Sequence, residues 1–135
     1  MSESPTALLD FAEPRQVPER TTAAWLAGDA EAFAAEFTDD ALVVIAGHYL
    51  RGHAQVLGYV TKAFAGPMKG TGVISNPIHL SYLDQDTVLL ITDGGVLAPG
   101  ETAPAPERSL YGTWILSRRD GRWGISAYHS SRPAS

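Results

Sequence analysis

The chain has four histidines, the side chains best suited to metal binding in a protein that lacks cysteine. A metal site favours closely spaced ligands, such as positions i and i+4 on a helix or alternate positions on a strand. His48 and His53 are five residues apart across a predicted turn, and His79 and His129 lie far from them in the sequence. The spacing therefore does not favour a metal site, and we expect none.

Asp93 is one of two residues that we predict to be catalytic, through proton transfer. It follows Leu89 and Ile91 at alternate positions of a predicted strand, on a face that is otherwise apolar. A carboxyl group buried on such a face would have a raised pKa and could act as an acid or a base. The alternative is that Asp93 begins a turn, which the two glycines after it indicate.

His129 is the second predicted catalytic residue, because imidazole titrates near neutral pH. It shares strand parity with Trp123 and Ile125, so it would lie near a pocket rim if their face is the core. Tyr128 and Ser130 occupy the opposite face, since adjacent strand residues point to opposite sides. The sequence leaves both orientations open, and it also allows a purely structural strand histidine.

Aromatic residues occur on most of the predicted helices and strands. Trp and Tyr each combine a large apolar surface with one polar group, which suits a planar or polyene-like ligand. The same residues could instead form an ordinary core or a dimer interface. They are Trp25, Tyr59, Tyr111, Trp114, Trp123 and Tyr128.

The composition argues against several classes of partner. A net charge of −5 at pH 7, with no basic face, argues against nucleic-acid binding. Without cysteine the chain cannot form disulfides or thiolate metal sites. Glycine-rich phosphate loops and the G-x-S-x-G nucleophile motif are absent, and no apolar run has the length of a membrane span. We expect a cytoplasmic protein with no cofactor and no membrane partner.

Three helices are predicted in the first half of the chain. Residues 1–16 are polar and contain two prolines, so we expect a flexible arm. A first helix then runs over about 18–27, with Gly28 as its C-terminal cap and Asp29 as the N-cap of a short second helix. A third helix over about 53–64 carries an apolar stripe at i, i+4, i+7 and i+8.

Strands dominate the rest of the chain. The β-branched run at 41–46 predicts a strand covered on both faces. Four further strands form an antiparallel meander, in which the Asp-Gly pair at 120–121 indicates a hairpin and the Pro-rich segment 98–107 an exposed, mobile loop. The fold class is therefore α+β, with a single domain over 17–131 and a tail over 132–135.

Several stretches resemble the nuclear transport factor 2-like superfamily, and more narrowly its SnoaL-like and SgcJ/EcaC-type proteins. They are WLAGDAEAFAAEFTDDALVVIAG, LRGHAQVLGYV, FAGPMKG and DGRWGISAYHSS. The resemblance implies a cone-shaped, curved antiparallel sheet with three helices packed on its concave face, a cystatin-like α+β barrel that encloses a pocket. It also implies a role in bacterial secondary metabolism, on an apolar polyketide- or enediyne-type intermediate.

The steroid isomerases of this superfamily use a base on the first strand, a tyrosine on the first helix and a carboxylic acid on the penultimate strand. An ungapped match places Ile45, Thr21 and Thr113 at these positions. Isoleucine cannot abstract a proton, so the resemblance does not extend to this isomerase mechanism.

Our leading hypothesis is a pocket protein that performs cofactor-free cyclisation, isomerisation or dehydration. Asp93 and His129 would transfer protons, and Tyr111 and Tyr128 would donate hydrogen bonds. The alternative is a non-catalytic ligand-binding module or a dimeric interaction module. In either case we expect a homodimer through the sheet, with Trp114 and Leu116 as candidate contacts. The predicted substrate-binding residues are Trp25, Ile45, Tyr59, Tyr111, Thr113 and Tyr128.

The two hypotheses differ in the polarity that they require of the pocket. Two or more titratable side chains converging in the cavity would favour the enzyme. A cavity of aromatic and aliphatic side chains would favour the binding module.

Overall fold

The computed structural model describes residues 10–134. The helices are α1 (Ala12–Ala27), α2 (Ala30–Ala34) and α3 (Gly52–Ala65). The strands are β1 (Phe37–Ile45), β2 (His48–Arg51), β3 (Gly72–Asp84), β4 (Thr87–Leu97), β5 (Ser109–Arg119) and β6 (Arg122–Ser131). A short 3₁₀ turn, Pro106–Arg108, precedes β5.

The strands form one six-stranded, curved sheet in the order β2-β1-β6-β5-β4-β3. All neighbouring pairs are antiparallel except β1 and β6, which are parallel. The three helices pack against one face of this open sheet, mainly through contacts of α3 with β1 and of α1 with β3. The predicted α+β class and the four-stranded meander are confirmed.

Two predicted helix caps are present. Gly28 ends α1 in the left-handed conformation, with φ at 67°, and its N–H is bonded to the last turn of the helix. The Asp29 carboxylate accepts a hydrogen bond from the Ala32 N–H at 3.0 Å. Helix α1 begins earlier than expected, at Ala12, so the end of the predicted 1–16 arm is helical. Residues 1–9 of that arm lie outside the described residues.

Strand β1 departs from its prediction in extent and in covering. It begins at Phe37, so the Thr-Asp-Asp sequence expected to separate helix from strand belongs to the strand. Ala41 and Val43 are buried against the helices, whereas Leu42 and Val44 are 50% and 39% exposed. Within residues 10–134 the expected covering of both faces is wrong, because the described helices lie on one side of the sheet.

A buried apolar core joins the helices to the sheet. The predicted stripe of α3 is buried and faces β1. Beside the core, the buried Glu36 carboxylate accepts hydrogen bonds at 3.0 Å from Arg20, which joins α1 to the start of β1. Within residues 10–134, none of the helices has the length and hydropathy needed to cross a membrane.

A β-bulge in the last strand decides which residues face the helices. Leu116 pairs with Ile125 and Ile115 pairs with Ala127, so Ser126 is an extra residue in β6. Trp123 and Ile125 are buried before the bulge. After it the alternation reverses, and Tyr128 and Ser130 face inward. The sequence left open which face of β6 is inside. The face of Trp123 and Ile125 is inside before the bulge, and the face of Tyr128 and Ser130 is inside after it.

The predicted dimer contacts Trp114 and Leu116 lie on the wrong face for that role. Both are buried on the helix side of the sheet, at 4% and 0% exposure. Thr113 and Ile115 alternate with them and point to the outer face. Trp114 and Leu116 are therefore core residues.

Candidate functional site

A cavity of about 640 Å³ lies between the helices and the inner face of the sheet. This volume falls within the range of typical small-molecule sites. Its inner walls are apolar and come from all three helices and the central strands. The wall residues include Trp25, Phe33, Phe37, Val56, Val60 and Trp114.

Two tryptophans form rigid parts of this wall. The indole N–H of Trp25 donates to the Thr71 hydroxyl at 2.9 Å, and its ring meets Phe33 edge-on at 5.6 Å. The indole N–H of Trp114 donates to the Thr92 hydroxyl at 3.0 Å. Because both N–H groups are satisfied by the protein, the tryptophan rings offer the cavity mainly apolar surface.

Tyr128 brings a phenol group to the cavity wall. Its ring packs edge-on against Trp114, with centroids 4.8 Å apart. Burial raises the pKa of Tyr128 to about 12, and the nearby Ser130 hydroxyl opposes this shift. The phenol is therefore neutral at physiological pH and can donate a hydrogen bond.

Gly112 makes room for this arrangement. A Cβ atom at Gly112 would lie 2.7 Å from the Thr92 hydroxyl, 2.9 Å from the Trp114 indole nitrogen and 3.2 Å from Cε1 of Tyr128. These three side chains can meet only because position 112 has no side chain.

The charged side chains that line the cavity are Glu107, Arg108 and Arg132. All three belong to segments beside the sheet end at which β5 begins and β6 ends. The Arg108 guanidinium contacts Glu101 at 2.7 Å and Glu107 at 3.6 Å, and it lowers the pKa of Glu101. Its Nε is buried and has no hydrogen-bond partner within residues 10–134.

Glu101 connects the start of the 98–107 segment to Arg108, the residue just after its end. The Glu101 carboxylate accepts from the Ala98 N–H at 2.7 Å as well as from Arg108. The segment was expected to be an exposed, mobile loop. Most of its residues are exposed and Glu101 is partly buried, and its mobility stays a prediction. Ala98 and Arg108, at its two ends, line the cavity.

The model of the SnoaL-like domain family matches residues 15–135 of the chain. The protein belongs to the SnoaL-like family. The expected membership of the nuclear transport factor 2-like superfamily is thereby confirmed. No curated protein matches the chain.

Solved structures place this SnoaL-like chain among cystatin-like folds. A domain of unknown function with a cystatin-like fold from Nostoc punctiforme PCC 73102 is similar at a TM-score of 0.84 and 22% identity, covering 94% of this chain and 81% of that one. A nuclear transport factor 2-like protein of unknown function from Shewanella oneidensis MR-1 is similar, with a TM-score of 0.72 and 18% sequence identity. The match covers 95% of this chain and 99% of that one. A ketosteroid isomerase-like protein from Erwinia carotovora atroseptica SCRI1043 is similar, with a TM-score of 0.71 and 17% sequence identity. The match covers 93% of this chain and 97% of that one. At these identities the likeness shows the fold.

Four of the predicted substrate-binding residues line the cavity of this SnoaL-like protein. They are Trp25, Ile45, Tyr59 and Tyr128. Tyr111 and Thr113 do not line it, because they alternate with the inward-facing Gly112 and Trp114 and point to the outer face.

The residues predicted to be catalytic also lie on the outer face. Asp93 is exposed next to the inward-facing Thr92, and His129 is exposed next to Tyr128. Asp93 and Tyr111 are cross-strand neighbours and line a separate outer hollow of about 330 Å³. His129 pairs with Thr113 in the neighbouring strand. The catalytic assignment of Asp93 and His129 stays a prediction, and the cavity gives it no support.

Thr92 and Ser130 are among the polar residues of the cavity wall that were not predicted from the sequence. Thr92 alternates with Val88 and Leu90, but Leu89 and Ile91 make the other face of β4 apolar as well, so strand parity did not show which face is inside. Ser130 could not be placed either, because its orientation depends on the bulge. Within residues 10–134, no cluster of three or more His, Cys, Asp or Glu side chains is arranged to hold a metal ion.

Proposed function

We propose that this SnoaL-like protein binds an apolar small molecule in the 640 Å³ cavity. The composition of the wall supports this function. Aromatic and aliphatic side chains form the inner walls, and the polar groups are mostly hydroxyls of threonine, serine and tyrosine. Such a surface favours burial of an apolar ligand, with a few polar groups to orient it.

Binding alone is supported better than proton-transfer catalysis. The SnoaL-like fold is compatible with both small-molecule binding and isomerase-type chemistry. Proton abstraction requires a base within hydrogen-bond reach of the substrate. The one carboxylate among the described residues of the wall is Glu107, whose side chain is 66% exposed and lies beside Arg108. No imidazole is among these wall residues.

The resemblance to SnoaL-like and SgcJ/EcaC-type proteins suggests the kind of ligand. We propose an apolar intermediate of bacterial secondary metabolism, of the polyketide or enediyne type, bound in the cytoplasm. The aromatic walls around Trp25 and Trp114 suit a planar, ring-containing molecule, because stacked or edge-on aromatic contacts add to apolar burial.

We also propose that the protein forms a homodimer through the outer face of the sheet. No described helix covers this face, and apolar side chains from four adjacent strands project from it. They are Leu42, Val44, Leu89, Ile91, Ile115 and Ala127. A contiguous apolar surface of this kind is typical of an interaction site.

A matched pair of tryptophan substitutions tests ligand binding. Val56 lines the cavity and is 1% exposed, whereas Val44 lies on the outer face. We expect the neutral fluorophore N-phenyl-1-naphthylamine to bind the native protein saturably, with one molecule per chain. Val56→Trp fills the cavity and should abolish binding, and Val44→Trp should preserve it. Equal binding by both variants, with circular dichroism confirming that both are folded, would contradict the proposal.

A further inference from the structure

The bulge at Ser126 places two hydroxyl groups side by side on the cavity wall. Tyr128 and Ser130 follow it on the inward face of β6, and both line the cavity. The Ser130 hydroxyl lies beside the Tyr128 phenol, and burial raises the pKa of this phenol. The phenol therefore has a proton that it can donate to a bound molecule.

The surroundings of Tyr128 hold this donor in a fixed position. Its ring packs against Trp114, which is itself anchored by Thr92, and Gly112 leaves the necessary space. A donor that is fixed before the ligand arrives loses little conformational entropy on binding. The apolar walls around it also strengthen a hydrogen bond, because they exclude water.

The charges near the cavity argue for a neutral partner. A carboxylate ligand would compete with Glu101 and Glu107, which already flank the Arg108 guanidinium although its Nε has no partner within residues 10–134. Arg132 belongs to the exposed end of the chain. A cationic ligand would require an inner carboxylate, and Glu107, the carboxylate among the described wall residues, is largely exposed. A neutral acceptor satisfies the phenol without burying a charge.

We infer that the ligand is an apolar, ring-containing molecule with a carbonyl oxygen, such as a ketone or quinone, that accepts a hydrogen bond from Tyr128 with Ser130 beside it. This inference rests on the proposed binding function and adds the chemical class of the ligand. Tyr128 acts here as a binding residue, and no covalent step is involved.

Three rigid molecules of similar size test the class: fluorenone, fluorene and fluorene-9-carboxylate. We expect calorimetry to show fluorenone binding about fivefold more tightly than fluorene, as one net hydrogen bond implies. Tyr128→Phe should remove this preference and leave fluorene binding unchanged. The matched control is Tyr111→Phe, on the outer face of the sheet. It should retain the preference.

The infrared frequency of the carbonyl stretch of bound fluorenone distinguishes a direct hydrogen bond from Tyr128 from a merely structural role of that residue. It should shift to lower frequency in the native protein and return toward its apolar-solvent value in Tyr128→Phe. Equal affinity for fluorenone and fluorene would overturn the carbonyl inference and leave the binding function intact. A preference for the carboxylate would also overturn it. Failure of all three molecules and of N-phenyl-1-naphthylamine to bind would overturn both proposals.

Discussion

Gly112 leaves the space in which Thr92, Trp114 and Tyr128 meet on the cavity wall. Gly112→Ala would place a methyl group within 3 Å of both the Thr92 hydroxyl and the Trp114 indole nitrogen. We expect a loss of about 1–3 kcal/mol in the free energy of unfolding, because overpacking displaces fixed side chains. Urea denaturation measures this change.

Gly58 offers a matched control for that substitution. It lies within α3, and a Cβ atom there would meet no atom within 4 Å. Gly58→Ala should stabilise the protein by about 0.5–1 kcal/mol, because alanine favours a helix interior. A Gly112→Ala variant as stable as the native protein would contradict the packing described for Tyr128.

Tyr128 also predicts a pH dependence of stability. Its folded pKa, raised to about 12, lies above that of tyrosine in an unfolded chain, about 10. Above pH 10 the unfolded state therefore loses the phenol proton while the folded state keeps it. Stability should fall as the pH rises from about 10 to 12.

Tyr128→Phe should remove that part of the decline, and Tyr111→Phe should not. Denaturant titrations at several alkaline pH values compare the three proteins. Identical slopes in all three would show that the Tyr128 phenol ionises as readily in the folded protein as in the unfolded chain.

The ion pair between Arg20 and Glu36 connects helix α1 to the residue just before strand β1. Arg20→Ala would leave a buried carboxylate without its partner. We expect a loss of about 1–2 kcal/mol in unfolding free energy, moderated because Arg20 is itself 42% exposed. The control is Arg119→Ala, which breaks an exposed pair with Asp40 and should have no measurable effect.

The sequence predicted those elements whose signals are local. Gly28 and Asp29 mark helix ends through their own conformation and hydrogen bonding, and the hairpin follows from left-handed Asp120 and Gly121. All three signals lie within a few residues of the structure that they specify.

Local sequence signals could not show whether the predicted site residues point toward the cavity or toward the outer face. An extra residue at Ser126 reverses the alternation of β6, and its presence depends on how β6 pairs with β5. This pairing explains why the sequence could not decide between Tyr128 and His129 as the residue inside. Asp93 was misleading for a different reason, since Leu89 and Ile91 on its face are apolar but lie outside the core.

On the scale of the whole molecule, the outer face of the sheet predicts self-association. Ile115 lies on a central strand of that face and is half-buried. Ile115→Lys would place a charge in the proposed interface, which should convert the dimer to a monomer because buried unpaired charges are costly. Sedimentation equilibrium measures the mass. The control is Lys69→Ala, at an exposed residue in the turn between α3 and β3. A native protein that is monomeric at high concentration would refute the interface.

The central claim is that the space between helices and sheet accepts a guest molecule. A crystal structure of the protein grown with fluorenone tests it most directly. We predict one fluorenone per chain inside the cavity, between Trp25 and Trp114, with its oxygen at hydrogen-bond distance from the Tyr128 hydroxyl. A cavity closed by the protein's own side chains, with fluorenone absent or bound only on the outer face, would contradict the account.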